Sequence, residues 1–302
     1  MTFVGVDWGT TSLRAYLLDE GGRILAQRQG SDGIKNCRGE YHETLLRYIQ
    51  PWLGTDVRHV VLSGMITSRH GWVETPYLLA PASGKAMAES LVHRHTADGL
   101  DLWFAPGLRL EHDHNTIDVM RGEETQVLGC LTAGAPDVQL VILPGSHSKW
   151  ILVESGEISW FSTFLTGELF AAVAKHTIVG ATLLPEAPSE VALLEGVQLG
   201  LSDDQALGGL LHKLFSLRVL GLFDPRGGVP RDLLTGLVLG TEIREALAQV
   251  NVPLPVATVI GHPALAEQYV TALRAAGLQA VTGPDDAAAV GLHQLVKAKG
   301  LT

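Results

Sequence analysis

The residues near the amino terminus that could do chemistry are one carboxylate and a run of hydroxyls beside a glycine. Asp7 ends an apolar run, Gly9 allows a tight turn, and Thr10, Thr11 and Ser12 follow it. Consecutive backbone N–H groups in such a turn bind anionic oxygens, such as those of a phosphate. Asp7 stands where a carboxylate could hold Mg²⁺, a cation that prefers oxygen ligands and bridges to phosphates. An ordinary hairpin is the alternative interpretation of this first turn (residues 9–12), because short motifs produce many false matches.

A second turn of similar composition (residues 145–148) occurs near the middle of the chain. It follows the apolar run 138–143, and placing Gly145 on Gly9 aligns hydroxyl residues in both turns. Two strand–turn–strand units of this kind predict an internal duplication, with chance similarity between two hairpins as the alternative. The candidate phosphate-binding residues of the second turn are Gly145, Ser146, His147 and Ser148.

The composition limits the class of protein. The chain has 302 residues, is 46% hydrophobic and 18% charged, and is long enough for two domains of ordinary size. Its formal net charge of −10 argues against a nucleic-acid partner, because binding phosphate backbones needs a concentrated basic face. No apolar run approaches a membrane span, the start does not have the pattern of a signal peptide, and two cysteines make a disulfide framework unlikely. We therefore expect a cytoplasmic protein without a membrane or nucleic-acid partner.

The elements that must position the two turns alternate between strands and helices. In the first half, the pattern predicts a three-stranded meander at residues 3–6, 13–18 and 23–28, helices at 43–52, 84–96 and 122–131, and strands at 59–62 and 102–105. The loop Ser63-Gly64-Met65 follows one of these strands. Loops at the carboxyl ends of strands are usual places for ligand contacts in α/β sheets.

The second half repeats the alternation after a break at residues 133–136. The predicted strands are 138–143, 149–153, 158–164, 254–260 and 278–281, and the predicted helices are 190–220, 231–248, 264–276 and 287–297. We therefore expect one domain at residues 1–134 and a second at 135–284. The terminal segment 285–302 could pack back on the first domain.

These motifs together resemble the superfamily of sugar kinases, Hsp70 and actin. Residues 7–11 look like its first phosphate motif and residues 144–148 like its second, while Gly261 and His262 end a segment that looks like its adenosine motif. The resemblance implies an α/β protein with a two-domain actin-like (ribonuclease H-like) ATPase fold, in which ATP and Mg²⁺ occupy the cleft between the domains. The second phosphate motif lacks the acidic residue that often begins it, which leaves Asp7 as the main carboxylate for the metal.

More narrowly, the chain is similar to the 2-dehydro-3-deoxygalactonokinase family. The closer match is carried by residues 119–126, 144–150 and 166–169, with further similarity at 63–65, 71–72 and 76–78. This resemblance implies ATP-dependent phosphorylation of the 6-hydroxyl of 2-dehydro-3-deoxy-D-galactonate in galactonate breakdown. The implied partners are a small sugar acid and ATP, and the oligomeric state, including a homodimer, stays open.

The kinase interpretation requires a carboxylate that deprotonates the sugar hydroxyl. Glu123 is the first candidate, because the exopolyphosphatase branch of the superfamily carries a similar Glu-Glu pair whose first member is the base. Asp113 and Asp118 are rivals. The structural alternative for Glu123 and Glu124 is charge complementarity at the start of a helix, where acidic residues are favoured.

The carboxylate of a sugar acid favours arginine over lysine as its partner, because a guanidinium binds it through two parallel hydrogen bonds. Arg69, Arg109 and Arg121 lie in suitable segments, and Arg69 and Arg121 are the candidates that we carry forward. The residues expected to line the sugar end of the site are Ser63, Gly64 and Met65.

Two other functions fit parts of the same pattern. An exopolyphosphatase-like phosphoanhydride hydrolase would explain the Glu-Glu pair, but such an enzyme should carry more basic residues around its channel than this acidic chain offers. A non-catalytic actin-like ATP-binding protein would bind nucleotide without turnover that depends on sugar. A rate of ADP release that depends on sugar acid would separate the kinase from both alternatives.

Overall fold

The computed structural model describes residues 2–54, 57–112, 116–131, 137–185, 187–204, 206, 208–250 and 252–301. The chain forms two compact units. The first unit comprises Met1–Val138, Leu152–Phe161 and Pro284–Thr302, and the second comprises Gln139–Ile151 and Ser162–Gly283. Residues 133–136, where we expected the boundary between the two domains, lie outside the described residues.

The elements follow one another as strands and helices of ordinary length. The strands are β1 (Thr2–Trp8), β2 (Leu13–Asp19), β3 (Ile24–Gly30), β4 (His59–Ser63), β5 (Tyr77–Leu79), β6 (Ala82–Ser83), β7 (Val92–His95), β8 (Asp101–Phe104), β9 (Gly107–Glu111), β10 (Ile117–Met120), β11 (Val138–Leu143), β12 (Ser148–Glu154), β13 (Glu157–Phe164), β14 (Leu183–Leu184), β15 (Val229–Pro230), β16 (Ala257–Val259) and β17 (Ala280–Thr282). The helices are α1 (Tyr41–Ile49), α2 (Gly84–Glu89), α3 (Glu123–Cys130), α4 (Thr166–His176), α5 (Glu190–Leu201), α6 (Leu210–Phe223), α7 (Arg231–Gln249), α8 (Pro263–Ala275) and α9 (Ala287–Lys299).

The main sheet of the first unit has the strand order β3-β2-β1-β4-β8-β7. Strands β1, β2 and β3 pair antiparallel, which confirms the predicted meander, while β1, β4 and β8 are parallel. The register places Asp7 of β1 opposite Arg14 of β2 on one side and Ser63 of β4 on the other. The end of the central strand therefore carries a carboxylate between a cation and a hydroxyl.

The core of the first unit holds this sheet against its helices. Val6, Leu62 and Phe104, on three neighbouring strands, are fully buried together with Leu45 and Ile49 of α1. Each fully buried side chain of this size contributes roughly 1.5–3 kcal/mol relative to leaving it exposed. The strand ends that carry Asp7 and Ser63 are thus fixed by a large apolar cluster.

Helix α9 completes the first unit by packing against α3. A Cβ on Gly129 would lie 1.8 Å from the carbonyl oxygen of Ala287, and one on Gly291 would lie 1.8 Å from that of Thr125. Both positions accept glycine only, because no backbone atom tolerates such an approach. The two helices therefore touch through their backbones.

A second sheet contains the strand order β17-β16-β11-β12-β13, in which β11, β16 and β17 are parallel. When these five strands are numbered along the chain, their order is 5-4-1-2-3, and the strands β8-β4-β1-β2-β3 of the main sheet have the same order. Both predicted strand–turn–strand units are present, with the second turn between β11 and β12. The two sheets therefore share one strand order.

Helices α5 and α7 of the second unit pack closely through glycines. Gly196 and Gly200 of α5 face Gly236 and Gly240 of α7, and a Cβ on Gly236 would lie 2.0 Å from the carbonyl oxygen of Leu193. This contact fixes the axis of α7, a helix that also supplies a buried side chain to the site described below. Within the described residues, no helix combines the length and hydropathy that crossing a bilayer requires.

Three predicted elements differ from the structure. The helix expected at residues 84–96 ends at Glu89, and the chain continues as strand β7, which pairs with β8. The helical stretch 190–220 is two helices, because α5 ends at Leu201 and α6 begins at Leu210, shortly after Gly208 with its φ of +66°. The strand expected from residue 254 begins only at Ala257, because Pro253 and Pro255 have no N–H to donate to a sheet.

Candidate functional site

In the first turn, the described hydrogen bonds are accepted by backbone carbonyl oxygens. Gly9 donates its N–H to the carbonyl oxygen of Ser12 (2.9 Å), and the Gly9 carbonyl oxygen accepts from the N–H of Ile34 (3.1 Å). The N–H groups of Thr10, Thr11 and Ser12 donate no hydrogen bond to any described part of the chain. These three consecutive N–H groups are therefore unpaired within the described residues, while the Gly9 N–H is used within the turn.

Asp7 lies at the end of β1, immediately before the turn, and is buried. Its Oδ2 is 3.0 Å from an Nη atom of Arg14. Burial raises the pKa of the Asp7 carboxyl, and the Arg14 charge opposes that rise. On the neighbouring strand, Ser63 is also buried, and its Oγ has no hydrogen-bond partner in the described residues. A buried carboxylate beside a buried, unpartnered hydroxyl suits an oxygen-rich ligand or an ion with its waters, because buried polar groups are normally satisfied.

The end of β1, the end of β4 and the start of α3 meet through two glycines. Gly64 has φ +95°, and a Cβ there would lie 2.7 Å from the carbonyl oxygen of Trp8. Gly122 has φ +109°, and a Cβ there would lie 2.9 Å from the Cα of Gly64. The loop of Ser63, Gly64 and Met65 is thus brought against both the strand of Asp7 and the residue that precedes Glu123.

The two glutamates at the start of α3 have different surroundings. Glu123 is half-buried, and its Oε2 accepts the N–H of Arg121 (2.9 Å). Glu124 is fully buried, and both its oxygens accept the N–H of Gly122 (2.9 and 2.7 Å). Burial, reinforced by the charge of Glu123, raises the pKa of Glu124 to about 8. At neutral pH Glu124 is therefore mostly protonated.

The side chain of Arg121 donates hydrogen bonds to the loop that follows Met65. Its guanidinium is buried and donates to the Thr67 carbonyl (2.8 Å), the Thr67 hydroxyl (2.7 Å) and the Thr75 carbonyl (3.0 Å). It also lies 4.1 Å from the centre of the Tyr77 ring. These contacts fasten residues 67–77 to the strand before α3 and occupy most of the donors of the guanidinium.

The remaining predicted residues of the first unit lie in different surroundings. Arg69 is exposed and forms no ion pair within the described parts of the chain, whereas Arg109 pairs with Glu111 (3.0 Å). Asp118 lies on β10, and its Oδ1 accepts the N–H of Val119 (2.7 Å). Asp113 lies outside the described residues. Of the two arginines predicted to bind the substrate carboxylate, Arg69 is therefore the accessible one, while Arg121 is engaged within the protein.

In the second unit, the second turn packs against the start of α4. A Cβ on Gly167 would lie 2.2 Å from the Gly145 carbonyl oxygen, and Glu168 donates its N–H to the Ser146 carbonyl (2.9 Å). His147 Nε2 is 2.7 Å from Glu168 Oε2. The N–H groups of Gly145, Ser146 and His147 donate no hydrogen bond to the described residues. Free donors beside a helix N-terminus are favourable for an anion.

Glu242 of α7 joins the end of the second turn to α4. It is buried and accepts hydrogen bonds from Ser148 Oγ (2.7 Å), Trp150 Nε1 (2.7 Å), Tyr269 OH (2.8 Å) and Thr166 Oγ1. Burial raises the pKa of Glu242, and these donated hydrogen bonds oppose the rise. The hydroxyl proton of Ser148 is directed to this carboxylate, so Ser148 serves to hold the turn.

Glu242 was missed in the sequence because it is far along the chain from the turn that it supports. The available signal was an acidic residue within the otherwise apolar stretch Leu237-Val238-Leu239 to Ile243 of a helix. Acidic residues are almost never fully buried unless they are paired or hydrogen-bonded. Such a residue on the apolar face of a helix therefore indicates a buried polar network.

A cavity of about 200 Å³ opens beside the second turn within the second unit. The Arg231 guanidinium lies 4.7 Å from the centre of the Phe170 ring in its wall. The turn of Gly261 and His262 is next to this region, because a Cβ on Gly261 would lie 3.6 Å from Pro144. Six of the residues that line the cavity are Gly145, Gly167, Phe170, Arg231, Gln268 and Tyr269.

Comparison with known proteins places these features in a family. A family model described as 2-keto-3-deoxy-galactonokinase matches residues 7–295. The chain is 35% identical to the 2-dehydro-3-deoxygalactonokinase of Escherichia coli (strain K12) over 304 residues, which cover 98% of each chain. It is 33% identical to a probable 2-dehydro-3-deoxygalactonokinase, DgoK1, of Rhizobium meliloti (strain 1021), covering 98% of this chain and 97% of the relative.

Solved structures agree with this assignment. A crystal structure provisionally described as a 2-dehydro-3-deoxygalactonokinase protein from Sinorhizobium meliloti has a TM-score of 0.85 and 31% identity, covering 98% of this chain and 96% of that chain. An activator of 2-hydroxyisocaproyl-CoA dehydratase from Clostridium difficile, solved with bound ADPNP, has a TM-score of 0.54 at 15% identity, covering 100% and 97%, and shows the fold alone. The fold is the two-domain α/β architecture of the actin-like ATPases, and the chain belongs to the 2-keto-3-deoxy-galactonokinase family.

Proposed function

We propose that this chain is an ATP-dependent kinase that phosphorylates the 6-hydroxyl of 2-dehydro-3-deoxy-D-galactonate in galactonate breakdown. The observation that carries the proposal is the family match over residues 7–295, a range that includes both turns and the segments around them. The 35% identity to the Escherichia coli enzyme across 98% of both chains supports the same substrate class. The two free cysteines, Cys37 and Cys130, are in keeping with a reducing cytoplasm.

We assign nucleotide phosphates to the free N–H groups of each turn. The second turn adds the N-terminus of α4, whose partial positive charge favours phosphate oxygens. The cavity beside it, at about 200 Å³, is smaller than the roughly 300–1,000 Å³ of sites that enclose a whole ligand, so it suits one part of a nucleotide. We place the adenine there, against Phe170 and Arg231, because aromatic and guanidinium faces stack on a base.

Mg²⁺ fits the group formed by Asp7 and Ser63. Within the described residues, no three His, Cys, Asp or Glu side chains are grouped to hold a metal. Mg²⁺ in kinases takes one or two carboxylates and completes its shell with phosphate oxygens and waters, so Asp7 with a hydroxyl beside it is sufficient. Held there, the ion would neutralise the charge that develops on the transferred phosphoryl group.

Glu123 is our candidate for the base. In the reaction, the 6-hydroxyl oxygen forms a bond to the γ-phosphorus, the bond from that phosphorus to the bridging oxygen breaks, and ADP leaves. The hydroxyl proton passes to Oε1 of Glu123, because Oε2 already accepts the N–H of Arg121. Protonation of Glu124 removes a second negative charge from the same helix start. Asp113 stays a rival prediction.

The sugar acid would lie against the loop of Ser63, Gly64 and Met65. Arg69, exposed on the same segment, is our candidate for its carboxylate. Arg121 was predicted for the same task, but its guanidinium is engaged with Thr67 and Thr75, so we propose that it shapes the loop instead. In this proposal Arg69 binds the substrate, and Arg121 supports the loop that forms the wall of the site.

The test is an assay of ADP release with Mg-ATP across a panel of 2-keto-3-deoxy acids, in both galacto and gluco configurations, and of simple aldonic acids. We expect 2-dehydro-3-deoxygalactonate to accelerate ADP release well above the rate in water, with phosphate recovered on its 6-oxygen. Full release without any acid would instead indicate the phosphoanhydride hydrolase that the Glu123-Glu124 pair also suggests. Nucleotide binding without turnover would indicate a non-catalytic ATP-binding protein.

A further inference from the structure

The second turn carries a histidine whose side chain is paired with a glutamate of α4. His147 Nε2 lies 2.7 Å from Oε2 of Glu168, and the two side chains are 51% and 61% exposed. Glu168 is the acidic residue in the first turn of α4, and its N–H donates to the Ser146 carbonyl oxygen (2.9 Å). His147 belongs to the second turn, and the backbone of Glu168 is hydrogen-bonded to that turn. Both side chains therefore start from fixed positions beside the N–H groups to which we assign nucleotide phosphates.

The stability of the fold does not account for this pair. An ion pair between exposed side chains contributes little to folding, because water and salt screen it. The second turn is already fastened by the approach of Gly167 to the Gly145 carbonyl oxygen and by the hydrogen bond from Ser148 to buried Glu242. A carboxylate in the first turn of a helix also competes with a phosphate for the same partial positive charge. Glu168 thus opposes a bound phosphate unless its charge is directed to another group.

The covalent geometry of histidine decides which nitrogen of the His147 ring can reach a ligand. Nε2 lies at the outer end of the ring and is taken by Glu168. Nδ1 is bonded to Cγ, so it is the ring nitrogen closer to the backbone, and it makes no hydrogen bond within the described residues. The unpaired N–H groups of Gly145, Ser146 and His147 belong to the same stretch of backbone. The free ring nitrogen is therefore the one on the side of the turn.

We propose that the His147 imidazole binds a phosphate oxygen of the nucleotide through Nδ1, and that Glu168 is the positioning residue that holds the ring for this contact. The inference rests on the proposed function, because it takes the second turn to bind nucleotide phosphates. A ring protonated only on Nε2 presents a lone pair at Nδ1, which repels a phosphate oxygen, so the contact requires protons on both nitrogens. A phosphate on one side and a carboxylate on the other favour that charged ring. Nucleotide binding should therefore be accompanied by uptake of a proton.

Other charged or titratable groups near the second turn have partners of their own. Glu242 accepts four hydrogen bonds, including one from Tyr269, and Lys149 donates to Thr163 Oγ1 (2.6 Å). The remaining groups of this kind, on the elements that adjoin the turn or the cavity beside it, are Arg231 over the Phe170 ring, Asp232, which accepts the Ser189 N–H (2.6 Å), and the exposed His262. His262 is the second imidazole near the turn, so the experiment has to separate it from His147.

The first experiment is a calorimetric titration of Mg-ATP into the full chain without sugar acid. Repeating it in two buffers of different ionisation enthalpy gives the number of protons taken up. We expect His147→Gln to take up fewer protons than the parent and to bind ATP about tenfold more weakly, the loss typical of a hydrogen bond to a charged group. The matched control is His93→Gln on edge strand β7, because His93 Nε2 also lies 2.7 Å from a carboxylate oxygen, that of Asp101, and is 43% exposed. The control should keep both the affinity and the proton uptake of the parent.

The second experiment tests the positioning role by introducing Glu168→Gln in two backgrounds. In the parent, it should weaken ATP binding, because the amide still accepts the Nε2–H but no longer carries the charge that favours the doubly protonated ring. In His147→Gln, the same change should strengthen ATP binding, because it removes a carboxylate beside the phosphates that no imidazole balances. The two side chains are in contact, so their effects should not add. A pair that only decorates the surface predicts the same sign in both backgrounds.

Three results would overturn the inference and leave the kinase function intact. The first is equal ATP affinity and equal proton uptake in the parent and in His147→Gln, with circular dichroism showing that both are folded. The second is proton uptake that persists in His147→Gln but is lost in His262→Gln, which would move the contact to His262. The third is an effect of Glu168→Gln with the same sign in both backgrounds. A folded parent chain that does not bind ATP would instead refute the proposed function itself.

Discussion

The contact between Gly167 and the second turn gives a test of how precisely that turn must be held. In Gly167→Ala, the added Cβ would lie 2.2 Å from the carbonyl oxygen of Gly145 and 3.0 Å from the Cα of Ser146. Both are backbone atoms, so no side chain can rotate away. An ordinary contact begins at 3.4 Å, so the turn must move by about 1.2 Å relative to α4. Misplacement of reacting groups by about 1 Å costs about 10²-fold in rate.

The assay is steady-state phosphorylation of the sugar acid, with kcat/KM for ATP as the readout and calorimetric titration of nucleotide as the second measurement. We expect kcat/KM for ATP to fall by about 10²-fold, while KM for the sugar acid changes little. The matched control is Gly209→Ala, because a Cβ there meets nothing within 4 Å and its φ of −81° suits any residue. That control should keep kcat/KM for ATP within about twofold of the parent, because replacing an N-cap by Ala costs about 0.5–2 kcal/mol of stability but does not move the second turn.

One outcome would refute the reasoning. If Gly167→Ala is folded and keeps kcat/KM for ATP within the range of the Gly209→Ala control, the second turn does not hold the phosphates. If kcat/KM falls for the sugar acid but not for ATP, the second turn contacts the sugar acid instead of the phosphates. If Gly167→Ala does not fold at the assay temperature, nucleotide binding by the same variant would be measured at a lower temperature at which it folds.

Three further variants address the glutamates. Glu123→Gln should lower kcat by about 10²–10⁴-fold with nucleotide binding unchanged, as expected on loss of a general base, and unchanged turnover would transfer the role to another carboxylate. Glu124→Gln should change the pH dependence of stability: a carboxyl with a pKa of about 8 when folded and 4.5 as a model group binds its proton more tightly when folded. The free energy of unfolding of the parent chain should therefore fall as pH rises from 4.5 through 8, and urea unfolding of the variant should lack that slope. Glu242→Gln should lower the free energy of unfolding by about 1–3 kcal/mol, because buried donors such as Trp150 Nε1 and Tyr269 OH lose an acceptor.

The features that could be predicted from the sequence are those encoded locally. The meander of β1, β2 and β3 follows from short apolar runs separated by Gly-rich turns, and the structure confirms it. The helix at residues 231–248 was confirmed within one residue at its end, because its apolar periodicity is long. Helix 84–96 failed because its second half pairs with β8, a contact that local propensity does not contain.

The parts of the candidate site that could not be predicted depend on contacts between distant segments. The motif Thr166-Gly167-Glu168 indicated a family from the sequence. The structure explains why it contains a glycine, because Gly167 lies too close to the Gly145 carbonyl oxygen for any Cβ. Arg121 was a plausible ligand for a carboxylate by residue type. The structure turns its guanidinium to Thr67 and Thr75, 54 and 46 residues away, where local sequence offers no signal. The residue type therefore indicated what Arg121 could bind, but it did not indicate where its side chain points.

The first unit is assembled from the two ends of the chain, and this has a consequence for biosynthesis. Helix α9, residues 287–299, is synthesised after the other described elements, yet its backbone lies against α3, which is made more than 150 residues earlier. A nascent chain that stops before Pro284 already contains every segment of the second unit but lacks this piece of the first. The unit whose synthesis begins first is therefore completed only after every segment of the second unit has been made, and until α9 emerges the glycine-lined side of α3 has no helix packed on it.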